Sequence, residues 1–481
     1  ASPPVRDLRW QPPVAAIPFA GVRQADSVGS ACWQARNSDA SLYARGNLER
    51  SEDCLYLNVF SGATDSSESL PVMVWFHGGG NTAGHGGPLI FDGSNLAARG
   101  AVIVAANYRL GSLGFLAHPA LTAESEHGSS GNYGILDQLQ VLQWVQSNIA
   151  GFGGDPGRVT IFGQSAGGTD VCLIMSSPLA EGMVHGVIGQ SPGCITLDRK
   201  LASGENSGHR AGEKFAESLE ITGAGDVALA QLRAIDAEKI IGTPGIGGGT
   251  IIDGWVIPDA PYSLLESGTQ NKIPVMVGGL AHEMHGLQSG SPDITGQQLD
   301  DYIETVFGDA AGQVKSAYSD LASSSPLDAR KQIATDNSFL LASRMWGRLV
   351  QQRGNNAYVY FFTREPPAFR LYVPAMPDLN SDGGKRSYGA YHSGELAYVF
   401  DNLDLVGLGW DDDDRGLSEL VADYWVSFAR NGNPNADGLP AWPAYDAEQD
   451  VVQILDVNAG AAVHPKKTEL DMLESLYLLG R

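Results

Sequence analysis

The chain has 481 residues, 60 of them glycine, and a formal net charge of −24 at pH 7. This charge argues against nucleic acid or an anionic membrane surface as a partner, because both would repel the protein. No run of 18 apolar residues occurs, so the sequence predicts no membrane-spanning helix. The length is sufficient to bury a sizeable core.

Short, unbroken apolar runs recur along the chain, with helix-like segments between them. Continuous runs of this kind predict strands buried on both faces, and hence a mostly parallel sheet covered by helices. Apolar residues at three- and four-residue steps from Leu136 to Ile149 predict one covering helix. We therefore predict an α/β fold with one large sheet and right-handed crossovers. The six predicted strands contain Val72–Phe76, Val102–Ala106, Val159–Phe162, Val187–Ile188, Val275–Val277 and Tyr358–Phe362.

A glycine triplet in the segment His77–Gly80 comes directly after the first predicted strand. Glycines at such a strand end allow backbone N–H groups to point at a negative charge that develops on a substrate oxygen. We therefore predict that Gly79 and Gly80 donate two hydrogen bonds in an oxyanion hole. The alternative is that the triplet is only a flexible turn.

A Gly-x-Ser-x-Gly motif lies between the strand Val159–Phe162 and a segment that can be helical. The serine of such a motif occupies a sharp strand-to-helix bend, which exposes its hydroxyl and requires glycine on both sides. The motif predicts Ser165 as a nucleophile and the N–H of Ala166 as a third oxyanion donor. A second match contains Ser191 before Pro192, where proline opposes a following helix. We expect Ser191 to be a hydrogen-bonding neighbour at an adjacent strand end.

A serine hydroxyl needs a general base, and the base needs a third group that orients it. In strand–serine–helix hydrolases the acid and then the histidine follow the serine along the chain. Glu283 is the first carboxylate after the run Val275–Val277, and His392 follows the last strong strand within a glycine-framed segment. We predict Glu283 as the acid and His392 as the base. Asp253 is the rival acid, although its Asp-Gly context is more typical of a turn.

The other histidines and an acidic run have simpler structural interpretations. His282 and His285 flank Glu283, but no paired ligand motif completes a metal site, so we predict no metal and no cofactor. The run Asp411–Asp414 lacks the glycine turn of a calcium loop and is expected to be a solvated loop. We expect five further histidines on the surface, namely His118, His127, His185, His209 and His464.

Four cysteines occur in the chain: Cys32, Cys54, Cys172 and Cys194. An even and sparse count is compatible with an exported protein, either secreted or periplasmic. The sequence leaves open whether Cys172 and Cys194 pair or stay free.

Eight short segments occur along the chain in a characteristic order, and they are spread over most of its length. They are Glu52–Val59, His77–Gly80, Asn107–Gly111, Phe152–Pro156, the Ser165 motif, Gly389–Glu395, Tyr424–Ala429 and Asn433–Asn435. On these segments the sequence resembles the type-B carboxylesterase/cholinesterase family of α/β-hydrolases. The resemblance implies that fold, Ser165, Glu283 and His392 as a catalytic triad, an oxyanion hole of Gly79, Gly80 and Ala166, and a disulfide between Cys32 and Cys54.

The sequence departs from the usual pattern of that family next to the predicted site. Gln164 precedes the serine where Glu is usual, which removes a negative charge, and Asn81 follows the glycine triplet where an aromatic residue is common. The acid loop reads His282-Glu283-Met284 instead of Asp-Glu-Gly. We therefore expect a more polar substrate pocket, with Asn81, Gln164 and Ser191 as substrate-binding residues.

These residues predict a serine hydrolase that cleaves small-molecule carboxylic esters through an acyl-enzyme and prefers polar or anionic esters. The alternatives are an amide, carbamate or lactone hydrolase with the same triad, and a catalytically silent binding protein. We expect a single domain, 1–481, with helical insertions at about 198–270 and 290–355 that form a cap and pocket walls. The sequence leaves the oligomeric state open.

Overall fold

A computed structural model describes residues 1–36, 41–246, 249–373 and 388–480. Most of the strands in these residues are short, buried and rich in apolar side chains. They are β1 Ala31–Cys32, β2 Arg50–Ser51, β3 Leu57–Ser61, β4 Leu70–Phe76, β5 Val102–Ala106, β6 Gly154–Gln164, β7 Gly186–Gln190, β8 Val275–Leu280, β9 Ala357–Phe362, β10 Val451–Leu455 and β11 Gly460–Val463.

One large sheet contains nine of these strands in the order β11-β10-β9-β8-β7-β6-β4-β5-β3, and β1 pairs separately with β2. Neighbouring strands in the large sheet are parallel, except that β3 and β11 run antiparallel to β5 and β10. The six predicted strands form β4 to β9. The prediction of an α/β fold with one mostly parallel sheet is therefore confirmed.

Helices connect the strands and cover both faces of the sheet, which is why the central strands are apolar throughout. They are α1 Ser94–Ala98, α2 Gly111–Phe115, α3 Pro119–Glu124, α4 Tyr133–Asn148, α5 Ala166–Ser176, α6 Gly208–Ser218, α7 Gly225–Arg233, α8 Ala237–Gly242, α9 Pro261–Ser267, α10 Glu283–Leu287, α11 Gly296–Phe307, α12 Ala311–Ala317, α13 Ser319–Ser324, α14 Pro326–Thr335, α15 Leu341–Gln352, α16 Leu396–Val399, α17 Leu403–Val406, α18 Asp412–Asn431 and α19 Lys467–Leu479.

The predicted site residues follow the carboxyl ends of four adjacent parallel strands, at one edge of the sheet. His77 follows β4, Ser165 follows β6, Ser191 follows β7 and Glu283 lies shortly after β8. Parallel strands end on the same side, so these residues meet although they are far apart in the chain.

The predicted insertions are helical in the structure. Segment 198–270 contains α6 to α9, and its residues 247 and 248 lie outside the described part; segment 290–355 contains α11 to α15. The second segment has a small apolar core of its own, which includes Leu299, Val314 and Ile333. Within the described residues, no helix is both long enough and apolar enough to cross a membrane.

Three expectations about polar residues are wrong. Asp411 caps the N-terminus of α18 and Asp414 is fully buried, where it accepts hydrogen bonds from Arg364 and Tyr398, so this acidic run is not a solvated loop. Two histidines expected on the surface are also buried. His118 caps α3 by accepting a hydrogen bond from a backbone N–H, and the ring of His464 packs near a phenylalanine ring of β9.

Candidate active site

Ser165 lies at the junction of β6 and α5, in a backbone conformation that non-glycine residues rarely adopt. Its φ is 59° and its ψ is −121°, and such conformations cost about 1–3 kcal/mol. Gly163 and Gly167 permit the bend because a Cβ at either position would overlap a carbonyl oxygen, that of Gly167 or of Phe76 respectively. The bend leaves the serine partly exposed at the edge of the sheet.

The carboxylate of Glu283 and the imidazole of His392 form a short hydrogen bond. Nδ1 of His392 lies 2.5 Å from Oε2 of Glu283, and the two side chains are almost completely buried. The second carboxylate oxygen accepts hydrogen bonds from the Leu280 N–H at 2.8 Å and from the Ser191 hydroxyl at 2.6 Å. These bonds hold the carboxylate in place, and its contact with Nδ1 leaves Nε2 as the basic nitrogen.

The amide of Gln164 packs on the same imidazole. Its nitrogen lies 3.2 Å from Nε2 and 3.5 Å from Nδ1 of His392, and contact with both nitrogens places it over the ring rather than in line with one lone pair. The Ser393 hydroxyl donates to Oε1 of Gln164 at 3.1 Å and thereby orients the amide. Gln164 directly precedes Ser165, so the imidazole contacts the residue next to the predicted nucleophile.

A phenylalanine that the sequence analysis did not single out also packs on His392. The rings of Phe339 and His392 have centroids 4.9 Å apart. Phe339 belongs to a π-helical turn, Asp336–Leu340, between α14 and α15, and such turns are frequent at functional sites. A π-turn arises from a shift in backbone hydrogen bonding, and no residue pattern predicts it. The sequence therefore offered no signal for Phe339.

The glycine loop after β4 is held by hydrogen bonds within the loop itself. The Gly79 carbonyl accepts bonds from Thr82 and Ala83 inside the loop, so the Gly80 N–H of the same trans peptide points the opposite way. None of the described residues accepts a hydrogen bond from the N–H of Gly79, Gly80 or Ala166. These three donors remain available to an anionic ligand.

Asn81 ends this loop and is buried. Its Nδ2 donates to Oδ1 of Asp170 at 2.9 Å, and its Oδ1 lies 3.0 Å from the Tyr108 hydroxyl. The other Asp170 oxygen accepts from Nε2 of Gln138 at 2.6 Å. Burial raises the pKa of the Asp170 carboxyl from 3.8 to about 7, although both amide donors act in the opposite direction.

The three residues expected to bind substrate therefore use their side chains inside the protein. Asn81 contacts Asp170 and Tyr108, Gln164 contacts His392 and Ser393, and Ser191 contacts Glu283. Each of these side chains thus has a protein partner, and a role in substrate binding stays a prediction.

The rival acid lies elsewhere, in a turn. Asp253 accepts hydrogen bonds from the backbone N–H groups of Trp255 and Ile257 and from the Ser129 hydroxyl, as its Asp-Gly context predicted. His282 accepts a hydrogen bond from the Ala390 N–H, and His285 lies 3.6 Å from a carboxylate oxygen of Asp328. In the part of the chain that the structure describes, no three His, Cys, Asp or Glu side chains are arranged to hold a metal ion.

A second buried carboxyl lies near the Glu283–His392 pair. Glu395 accepts a hydrogen bond from Gln190 at 3.1 Å. Burial, followed by the charge of Glu283, raises the pKa of Glu395 to about 8. Oε2 of Glu395 has no hydrogen-bond partner among the described residues, whereas Glu283 has donors on both oxygens.

The structure pairs all four cysteines. Cys32 bonds to Cys54, as the family resemblance implied, and Cys172 bonds to Cys194, which the sequence left open. The second bridge joins helix α5, which follows Ser165, to the segment after β7, which begins with Ser191. Both bridges close loops with a sequence separation of 22 residues.

Comparison with known proteins gives concordant matches. The profile described as the Carboxylesterase family matches residues 1–473. A fumonisin B1 esterase from Sphingopyxis macrogoltabida is 34% identical over 97% of this chain and 84% of its own length. Liver carboxylesterase 1 of Mus musculus is 32% identical over 99% of this chain and 87% of its own length. A solved structure of PNB esterase superimposes with a TM-score of 0.80 at 28% identity, covering 98% of this chain and 94% of that one. The match confirms the predicted α/β-hydrolase fold.

Proposed function

We propose that this chain, which belongs to the carboxylesterase family and is a carboxylic ester hydrolase, forms an acyl-enzyme on Ser165. The observation that carries the proposal is the 2.5 Å hydrogen bond between Glu283 and His392, whose imidazole also contacts Gln164, the residue before the strained Ser165 bend. A nucleophile, a base and an orienting acid are what ester hydrolysis through a serine requires.

In the proposed reaction Nε2 of His392 accepts the Ser165 proton while the serine oxygen attacks the acyl carbon. The imidazolium then protonates the departing alcohol. Water attacks the acyl-enzyme with His392 again as the base, which releases the acid and restores the serine. Glu283 keeps Nδ1 protonated and stabilises the imidazolium throughout. Water is the only co-reactant, so the proposed reaction needs no cofactor and no metal.

We assign the oxyanion hole to the N–H groups of Gly79, Gly80 and Ala166. In its support, these three groups have no acceptor among the described residues. Their backbone positions follow the ends of β4 and β6, which are neighbours in the sheet. Each such donor contributes about 3–4 kcal/mol to lowering the barrier in serine hydrolases.

We further propose a preference for polar or anionic esters. Two facts favour it: the residue before the nucleophile is an uncharged amide, and one relative is a fumonisin B1 esterase. A carboxylate at that position would repel an anionic substrate at short range. Fumonisin B1 is therefore a specific candidate substrate.

We make two further proposals, about the domain organisation of the protein and about its location. We propose one domain, 1–481, in which segment 290–355 forms a pocket wall, because Phe339 of this segment reaches His392. We also propose export to the periplasm or the medium, because two disulfides persist best in an oxidising compartment.

The proposal is tested by initial rates on esters of graded acyl length, with matched neutral and carboxylate-bearing members and fumonisin B1. Ser165→Ala serves as the blank, and Ser176→Ala, a buried serine of the same helix, as the matched control. We expect rates that depend on Ser165, labelling of Ser165 by a fluorophosphonate, and higher kcat/KM for the charged members.

Other outcomes point elsewhere. A preference for short neutral esters would refute the anion preference and leave a general carboxylesterase. Turnover of amides, carbamates or lactones alone would favour the alternative function, a hydrolase that cleaves one of these bonds with the same triad. Absence of both turnover and fluorophosphonate labelling would indicate a silent binding protein.

A further inference from the structure

We propose that Asp170 and Asn81 form a positioning pair that couples the nucleophile helix to the oxyanion loop. The inference rests on the proposed function, because it assigns a purpose to the loop only if Gly79 and Gly80 bind the oxyanion. Neither side chain would touch the substrate; the pair acts through the backbone that it holds.

The two residues lie on the two elements that must be aligned for catalysis. Asp170 is on α5, five residues after Ser165, and Asn81 directly follows Gly80. Their side chains join at 2.9 Å between Nδ2 of Asn81 and Oδ1 of Asp170, and both are buried. This bond is therefore a direct side-chain link between the serine helix and the glycine loop.

Asn81 is also tied to its surroundings by its backbone. Its carbonyl accepts a hydrogen bond from the Gly111 N–H at 2.7 Å, and its φ is 55°, in the left-handed region. The Tyr108 hydroxyl lies 2.7 Å from the His77 carbonyl and 3.0 Å from Oδ1 of Asn81, so it contacts the loop on both sides of the glycines. A residue fixed at this many points transmits a displacement to Gly80 instead of absorbing it.

The bond between Asp170 and Asn81 is possible whether or not the carboxyl is ionised. An ionised carboxylate accepts from the Asn81 amide, and a protonated carboxyl can donate to the amide oxygen if the amide turns over. An asparagine at position 170 could make the same contact. Gln138 completes the cluster on the other side of Asp170, but it lies on α4 and bonds no loop residue.

The pair can be tested by a double-mutant cycle on the full-length protein with an ester that the wild type hydrolyses. We expect Asn81→Ala and Asp170→Ala each to lower kcat about tenfold or more, since small misplacement of catalytic groups has large effects. KM should change little, because the loop contacts the transition state more strongly than the ester. The double variant should be no slower than the slower single variant.

Three further variants separate positioning from general damage. Asp170→Asn keeps the bond to Asn81 and should retain kcat within threefold. Gln138→Leu removes a donor from the same buried cluster without touching the loop, so its unfolding temperature should fall while kcat stays within threefold. A third variant, Asp170→Leu, fills a similar space without the bond to Asn81 and should stay as slow as Asp170→Ala, a result that cavity formation alone would not produce.

Several results would overturn the inference. They are single variants with wild-type kcat, losses that add in the double variant, or a Gln138→Leu loss as large as that of Asp170→Ala. Failure of the proposed function looks different, because the wild type itself would then show no Ser165-dependent rate.

Discussion

The hydroxyl of Ser191 lies 2.6 Å from Oε1 of Glu283, and both side chains are fully buried. The serine of the second Gly-x-Ser-x-Gly match is thus a partner of the acid, on the opposite carboxylate oxygen from His392. Its φ of 49° reflects the turn that brings it there from the end of β7.

Removing this hydroxyl should impair the function of Glu283 rather than the binding of substrate. Hydrogen bonds to charged groups contribute about 1.5–3 kcal/mol, so Ser191→Ala should lower kcat about tenfold or more with little change in KM. Steady-state kinetics would measure both. Ser176→Ala, which removes a hydroxyl that donates to the Cys172 carbonyl, is the control. Equal rates in the two variants would contradict the assignment.

Alanine should be far less tolerable at Gly79 than at Gly80. A Cβ at Gly79 would overlap the Ala83 carbonyl oxygen, whereas at Gly80 its nearest atom is 3.8 Å away. Losing an oxyanion donor costs about 10²–10³ in kcat, so we expect Gly79→Ala to approach that loss. Gly80→Ala carries only the strain of its φ of +62° and should be milder.

Gly128→Ala is the matched control for these two variants, because Gly128 has a φ of +60° in an exposed loop with no atom within 4 Å of an added Cβ. Its kcat should equal that of the wild type. Similar kcat values for Gly79→Ala and Gly128→Ala would argue that the loop does not bind the oxyanion.

A carboxylate in place of the Gln164 amide should change the pH dependence of activity. A negative charge this close to the imidazole favours the protonated ring, which cannot act as a base. Opposite charges at such distances shift titrations by about 1–3 pH units, so the acidic limb of kcat/KM for Gln164→Glu should move upward by at least about one unit.

The other titratable groups around His392 are unchanged in this variant. They are Glu283, which is bonded to the ring, Tyr43, whose hydroxyl donates to the His392 carbonyl, and Glu395, whose pKa is raised by burial to about 8. Gln143→Glu adds the same charge at an exposed position of α4 and should leave the profile unmoved. Superimposable profiles for Gln164→Glu and Gln143→Glu would refute the prediction.

Asp170 should reduce the stability of the protein as the pH rises. Burial raises its folded-state pKa from 3.8 to about 7. The folded state thus binds the proton more tightly than the unfolded chain, and this contribution is complete below pH 3.8 and lost as the pH rises through about 7. About three pKa units correspond to roughly 4 kcal/mol.

Asp170→Asn should therefore be more stable than the wild type at pH 8, by up to about 4 kcal/mol, and its advantage should disappear toward pH 4. Urea unfolding across this range would measure the difference. Asp137→Asn is the contrasting control, because Asp137 pairs with Arg109 at 2.7 Å, and breaking a buried pair should destabilise by about 3–5 kcal/mol. A pH-independent effect of Asp170→Asn would show that the carboxyl does not titrate in this range.

Much of the architecture was predictable from local patterns. Unbroken apolar runs predicted β4 to β9, because strands covered on both faces cannot alternate in polarity. The glycines around Ser165 predicted its bend, because only glycine allows the close approach of carbonyl oxygens there. The order of serine, acid and histidine along the chain then selected Glu283 and His392, and the structure joins these two by a hydrogen bond.

The roles of the supporting side chains were decided only by the tertiary structure. Sequence reasoning assigned Asn81, Gln164 and Ser191 to the substrate, and in the structure each also bonds to a residue 89 or more positions away. The partners of a polar side chain depend on which strand ends and loops meet in space, and its residue type is compatible with many partners. The bridge from Cys172 to Cys194 has the same origin. Backbone conformation is governed by neighbours in the chain and could be predicted, whereas contacts between distant segments exist only once the sheet has brought its parallel strand ends together.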